Sequence, residues 1–333
     1  MLTRKDTILK LIVEYVVKNA QPVGSKTLID EYGLQYSSAT IRAEMNQLEN
    51  DGYLEKTHTS SGRVPSTKGY QYYVTNLRDK TINGDIKYRL QSVLNERVKS
   101  IEEVLKESCE ILSDMTSLAS VVLGGNANEE KLVSIQLIPL SEKTASAVFV
   151  TDKGYVENKT FFLDESHDIK AVSQVVKVLN DRLKGTPVSD LVNKMSAIKP
   201  LVNDYLIDND MVYQMVMEIF LKITRERMSL YGKEELLEQP EFQEDVTKLK
   251  RLMKILDNPN SLENYVSNDD KVNVKFLNKE DDLAVVSAKV QISGSDYGNI
   301  ALVGPTRMDY DTVVASLEYV VSELEKYFGK GGK

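Results

Sequence analysis

The stretch Tyr36-Ser37-Ser38-Ala39-Thr40-Ile41-Arg42-Ala43-Glu44-Met45-Asn46-Gln47-Leu48-Glu49-Asn50-Asp51-Gly52 decides how the chain begins to fold. Ser37-Ser38 supplies hydroxyls of the kind that cap a helix N-terminus, and Asp51-Gly52 is a stop. Between them Ile41, Met45 and Leu48 recur at helical spacing, so one side of the helix is apolar. The opposite side carries Ala39, Arg42, Ala43, Asn46 and Gln47. Arginine and asparagine are side chains that read guanine and adenine edges in the major groove. The small residues Ser37, Ser38, Ala39 and Thr40 let backbone approach closely, and a helix N-terminus favours a phosphate. An ordinary amphipathic helix with a serine cap shows the same pattern, so the flanks must decide.

Upstream, Thr3 is a candidate cap, and Ile8, Leu9, Leu11, Ile12, Tyr15 and Val16 follow at helical spacing. That helix ends near Asn19, before Gln21-Pro22-Val23-Gly24. A short second helix starts at Ser25, carries Leu28 and Ile29, and stops at Gly33. Downstream, Tyr53-Leu54-Glu55-Lys56-Thr57 and Arg63-Val64-Pro65 read as two short strands around a polar loop. Three helices closed by a hairpin within about 65 residues is the plan of a winged helix-turn-helix. The loop His58-Thr59-Ser60-Ser61-Gly62-Arg63 has hydroxyls, a glycine and an arginine but no acid, which suits gripping phosphates or a minor groove. Residues 56–78 contain Lys56, Arg63, Lys68 and Arg78 and no acid. The candidate DNA contacts are therefore Ser37, Ser38, Thr40, Arg42, Asn46, Gln47, His58, Thr59, Ser60, Arg63 and Lys68.

Beyond the hairpin, residues 66–80 are helical in pattern and 81–85 read as a linker. A helical region is predicted over 86–118, then strands over 132–140, 145–151 and 155–163. Helices are predicted over 168–184, 188–196 and 209–231, the last holding Met211, Met215, Met217 and Met228. Pro240 breaks the chain before a helix at 241–256. Strands at 272–278, 283–292 and 298–303 and a helix at 309–328, capped by Asp309, complete an α+β pattern, with a loose tail expected over 329–333. Two strand clusters separated by about 100 mostly helical residues suggest one domain inserted into another.

The length of 333 residues suits two or three domains, and 41 % hydrophobic with 28 % charged residues is ordinary for a globular protein. The net charge is −8, but residues 1–80 hold 11 Lys/Arg against 9 Asp/Glu and the remainder 31 against 41. A neutral-to-basic head on an acidic body suits a protein that presents one face to DNA. Cys109 is the single cysteine and His58 and His167 the only histidines, which excludes an intrachain disulfide and a cysteine-rich zinc site. The longest run free of Asp, Glu, Lys and Arg is 14 residues, too short for a membrane span of about 20. The first residues lack a signal-peptide pattern, so a cytoplasmic protein without membrane attachment is expected. Gly124-Gly125-Asn126-Ala127 lacks the Gly-Lys-Ser/Thr ending of a phosphate loop, and Asp281-Asp282 has no His or Lys partner. No catalytic residue, metal or cofactor is expected, and the chain does not read as an enzyme.

Tyr36 to Met45, then Leu48-Glu49-Asn50-Asp51-Gly52-Tyr53-Leu54, then His58-Thr59-Ser60-Ser61-Gly62-Arg63-Val64-Pro65-Ser66-Thr67-Lys68-Gly69-Tyr70-Gln71-Tyr72-Tyr73-Val74, resemble the start of the heat-inducible transcription repressor family HrcA. Gly304-Pro305-Thr306-Arg307-Met308-Asp309-Tyr310 resembles that family's second signature, and Arg307 is a candidate for a domain or dimer contact. Ala43 stands where the family usually has Asn, and Ser61 where Ala is usual. The resemblance implies an α+β multidomain chain. Its parts would be a winged helix-turn-helix at 1–80, a GAF-like α/β domain from 85–130 and 240–333, and an inserted α+β dimerisation domain at 131–239. These bounds put the first strand cluster in the insertion; its completing the GAF-like sheet is the other placement. The helical run at 209–231 is either a dimer surface or ordinary core. The resemblance further implies a homodimer that binds an inverted-repeat operator, CIRCE, on chaperone operons, is kept active by the chaperonin GroEL and is lost on heat stress. The alternative is a regulator whose GAF-like domain senses a small effector.

Overall fold

Thr3 opens the first helix with a capping box: its Oγ1 accepts from the Asp6 N–H at 3.1 Å, and the Asp6 carboxylate accepts from the Thr3 N–H at 3.2 Å. Helix α1 (Arg4–Asn19) buries Ile8, Leu9, Ile12, Val13 and Val16 against α2 (Ser25–Tyr32) and α3 (Ser38–Asn50). Strands β1 (Leu54–Lys56) and β2 (Arg63–Pro65) pair antiparallel with Glu55 opposite Val64. The hairpin is tied back to the helices where Arg63 pairs with Val23 in both directions, at 2.9 and 3.0 Å. Helix α4 (Thr67–Tyr72) follows and runs into one π-turn, Tyr73–Leu77, where a continuous α-helix was predicted. Gly69 is required here, since a Cβ on it would meet the Tyr53 carbonyl oxygen at 2.1 Å. This computed structural model describes residues 2–56, 62–94, 101–124, 130–152, 154–163, 168–203, 210–225, 228–257, 262, 265–266, 272–277, 282–292 and 295–328.

The helical pattern at 86–118 resolves into α5 (Gly84–Leu94) and α6 (Ile101–Thr116), followed by a strand that was not predicted, β3 (Ala119–Gly124). The strand lies in the charge-free run and is buried at the consecutive residues Ala119, Ser120 and Val121 and at Leu123, so it lacks the alternation that marks a half-exposed strand. The helix predicted over 209–231 ends earlier. Its last residues form another unpredicted strand, β7 (Met228–Tyr231), at the edge of a five-stranded sheet. Gly232 follows at φ +69°, where a Cβ would lie 2.3 Å from that of Ser113. The sheet runs in the order β7, β3, β10 (Ser295–Pro305), β9 (Leu283–Ile292), β8 (Asn273–Phe276). Between β7 and β8 in sequence lie α10 (Lys233–Leu237), α11 (Pro240–Gln243) and α12 (Val246–Leu256). The last helix, α13 (Tyr310–Phe328), packs on β9 and against α5 and α6, burying Val313, Leu317, Val320 and Leu324. Asp309 caps it as expected, accepting from the Thr312 N–H at 3.2 Å.

The strands β4 (Leu132–Pro139), β5 (Thr144–Thr151) and β6 (Val156–Phe162) form a separate antiparallel sheet in that order. One face is covered by α7 (Ile169–Leu183), α8 (Leu191–Asn203) and α9 (Asp210–Arg225). Phe149 of β5 meets Phe220 of α9 edge-on, with ring centroids 5.6 Å apart. Val212, Met215, Val216, Ile219 and Ile223 line the same core, so this side of the helix is packed interior. The other face is open. It presents Ser134, Gln136 and Ile138 of β4, Ser146, Val148 and Val150 of β5, and Val156, Asn158, Thr160 and Phe162 of β6. None of these is charged, and Phe162 is 77 % exposed. By contact density the chain divides into two compact units. One comprises Met1–Val122, Ser229–Ser293 and Asn299–Lys333; the other comprises Leu123–Met228 and Gly294–Gly298.

Candidate nucleic-acid interface

Helix α3 begins where Ser37, in extended backbone, turns its Oγ back to accept from the Thr40 N–H at 3.1 Å. The same oxygen lies 2.8 Å from Thr40 Oγ1. Ser38 Oγ pairs with Ser25 Oγ at 3.0 Å, so the N-termini of α2 and α3 are fastened together. Ile41, Met45 and Leu48 are buried, as the periodicity requires. Ser37, Ser38, Ala39, Arg42, Ala43, Asn46, Gln47 and Asn50 are exposed, and Thr40 partly so. The side chains of Arg42 and Gln47 make no hydrogen bond or ion pair among the described residues. On the predicted reading side of α3, the side chains of Arg42 and Gln47 therefore stand clear of the head that carries them.

The wing differs from expectation. Arg63 was expected in the loop as a phosphate contact. It sits instead at the base of β2, 7 % exposed, with its guanidinium turned inward. Nε donates to Glu49 Oε2 at 2.8 Å and Nη2 to Asn46 Oδ1 at 3.0 Å, both on α3. Glu49 also pairs with Lys56 of β1 at 3.2 Å. Burial pushes the Glu49 carboxyl up, but hydrogen bonds and charge from Lys56 and Arg63 outweigh it and hold the group below its ordinary value. Backbone pairing with Val23 and the Glu49 carboxylate on α3 draw the arginine in, a partnership invisible in the sequence. Lys68 is exposed, yet its Nζ donates to the Asp51 carbonyl at 2.7 Å and lies 4.5 Å from the Tyr53 ring centroid. It thus sets a positive charge on the C-terminal end of α3. His58, Thr59 and Ser60 lie outside the described residues.

Other residues that the sequence reading passed over border the same surface. Tyr36, 45 % exposed, stands directly before the cap, and the Arg4 guanidinium is 5.8 Å from its ring. Arg4 Nε also donates to Glu44 Oε1 at 2.7 Å. Lys26 and Thr27 are exposed in the first turn of α2, whose cap residue Gly24 makes no side-chain hydrogen bond. The exposed aromatic before a serine cap was the signal available for Tyr36.

The two signature stretches meet within one unit. Tyr70 packs against Tyr310 and Phe276 with centroids 5.8 and 6.3 Å away. Tyr73 OH donates to Asp311 Oδ2 at 2.8 Å, and Arg78 Nη2 to Glu318 Oε1 at 2.7 Å. Arg307 donates to the Val17 carbonyl at the end of α1 at 3.1 Å, to Gln239 Oε1 at 3.1 Å and to the Glu241 carboxylate. The head is therefore fastened to the start of α13 by aromatic packing and charge-assisted hydrogen bonds. Burial lifts the Tyr73 phenol and the Asp311 carboxyl, with the neighbouring acid adding to the first. Cys109 is fully buried and its thiol is pushed up to about 12, which leaves no thiolate for chemistry at neutral pH. Among the described residues no three His, Cys, Asp or Glu side chains gather as a metal site, and no helix is long and apolar enough to cross a membrane.

The family model described as "HrcA protein C terminal domain" matches residues 102–314. A heat-inducible transcription repressor HrcA from Bacillus pumilus (strain SAFR-032) is 36 % identical over 334 residues, covering 97 % of each chain. A crystal structure of a hypothetical protein at 2.2 Å resolution superposes with a TM-score of 0.70 over 99 % of both chains, at 24 % identity, and so shares the fold. The N-terminal motifs, the C-terminal signature they pack against and these full-length matches lead to one assignment: the chain belongs to the HrcA family of heat-inducible transcription repressors.

Proposed function

We propose that this repressor binds, as a homodimer, an inverted-repeat operator of the CIRCE type on chaperone operons, with α3 of each subunit in the major groove. The observation that carries this reading is the outer side of α3, where Arg42 and Gln47 have no partner among the described residues. Arg42, Asn46 and Gln47 face base edges; Ser37, Ser38 and Thr40 lie at the helix N-terminus, where a phosphate binds. His58, Thr59 and Ser60 contact flanking phosphates or the minor groove. Arg63 and Lys68 support α3 from behind, which fits their inward hydrogen bonds. The proposed parts are a winged head at 1–80, a GAF-like domain from 85–130 and 240–333, and an inserted dimerisation domain at 131–239. The uncharged open face of β4, β5 and β6 is the surface in that insertion suited to a second copy. One helix reads only a few base pairs, so two placed about 34 Å apart on a palindrome supply the affinity. The protein acts in the cytoplasm, with GroEL maintaining the binding form and heat stress removing it. A loss of about 1–2 kcal/mol in folding stability changes the active fraction several-fold.

The test is anisotropy titration of the full chain on the inverted repeat, on a single half-site and on a scrambled duplex, over a range of salt. The proposal expects tight binding to the repeat alone, lost after mild heating and restored by chaperonin. Equal affinity for repeat and scramble refutes the operator reading; unchanged binding after heating refutes the chaperonin arm.

A further inference from the structure

The two ends of the Asn46 amide are not equally free for a ligand. Its Oδ1 accepts from Arg63 Nη2 at 3.0 Å. A guanidinium has only donors, so the carbonyl end alone can face it and the amide's orientation is settled by chemistry. Arg63 is itself held in place: its side chain bonds Glu49 at 2.8 and 2.7 Å, and its backbone pairs with Val23. The chain Glu49–Arg63–Asn46 therefore fixes the amide plane through charge-assisted bonds. The Nδ2 end lies on the other side of Cγ, on an exposed residue, and has no partner among the described residues. Two-point pairing of asparagine with adenine uses both ends: the carbonyl accepts from N6 while the NH2 donates to N7. Here the carbonyl already accepts from a buried cation with one of its two lone pairs, which fixes the amide plane, and the end without a partner among the described residues is the NH2 donor.

We infer that Asn46 is a specificity-determining residue that reads a keto oxygen in the major groove, O6 of guanine or O4 of thymine, in preference to adenine. Arg63 and Glu49 are the positioning residues that impose this choice. The inference rests on the reading of α3 as the recognition helix.

The experiment measures binding of full-length wild type and Asn46→Ala to operator duplexes in which each base pair of a half-site is changed in turn. At one position wild type should prefer guanine or thymine by about tenfold, and Asn46→Ala should level that position alone. Replacing that base by 6-thioguanine or 4-thiothymine, whose sulfur accepts poorly, should weaken wild type by a similar factor and leave Asn46→Ala unchanged. Arg63→Lys keeps the charge but removes the fork, and should raise adenine relative to the keto base at that position. A purely structural brace would weaken all sequences alike. Asn46 is exposed, so its variant reports even where Arg63→Lys fails to fold. The inference is overturned if the levelled position is an adenine. It is also overturned if Asn46→Ala changes no base preference while Arg42→Ala does, which leaves the recognition helix standing. Wild type showing no sequence preference at all would overturn both readings.

Discussion

The outer side of α3 and the open face of the β4–β5–β6 sheet are both backed by a buried core, Ile41, Met45 and Leu48 in one case and Ile135, Ala147 and Phe149 in the other. Their outward chemistry is opposite. The helix shows Arg42, Asn46, Gln47 and small hydroxyl residues; the sheet shows Val148, Val150, Val156, Ile138 and Phe162 among uncharged polar groups. A cation among directional donors matches a polyanion with hydrogen-bonding edges. An uncharged, partly apolar face matches another protein surface, where charge would cost desolvation. The contrast teaches that exposure alone does not name a partner; the charge left on the exposed side does.

The comparison can be broken most forcefully in the inserted sheet. Phe149→Ala empties the space against Phe220 and should destabilise by about 3–5 kcal/mol in a denaturant titration. Phe162→Ala, on the open face, should change the stability of the single chain by no more than about 0.5 kcal/mol. If both cost the same, that face is covered within the chain and the comparison fails. Phe162→Asp should weaken self-association by about 2 kcal/mol or more, read by sedimentation equilibrium, and leave half-site affinity unchanged. On the helix, Arg42→Ala should lose about 1–3 kcal/mol of operator binding with no change in thermal midpoint. Lys68→Met should lower stability by about 0.5–1 kcal/mol through the lost contact with the Asp51 carbonyl, and leave the salt slope of DNA binding as it is. A slope reduced by about 1 would return Lys68 to the phosphate contacts.

The smallest effect is in pH. Glu49 is depressed in the folded state, so its contribution is complete above its ordinary 4.5 and is lost as pH falls through the depressed value. Asp311 is raised, so its unfavourable contribution is absent in acid and grows as pH climbs from 3.8 through the raised value. At pH 7, Glu49→Gln should lower the thermal midpoint and Asp311→Asn should not; near pH 3.5 the difference between them should shrink.

Much of the head was legible because its signals are local. Thr3, Ser37 and Asp309 cap helices as their side chains predict, and the apolar residues of α3 point inward. The strands β3 and β7 escaped because both are short and depend on partners more than 100 residues away in sequence order. The Met-rich run reads either as a dimer surface or as ordinary core, since periodicity shows that a face is apolar but not what covers it.

By itself the sequence determined which side of α3 is polar, where the caps fall and that two distant signatures belong to one family, since each depends on residue type and spacing along the chain. Only the tertiary structure decided that the Arg63 guanidinium turns inward to Glu49 and Asn46, and that Tyr73 reaches Asp311. A side chain's chemistry is carried by its type, but what remains free for a partner depends on which distant groups folding brings within hydrogen-bond reach.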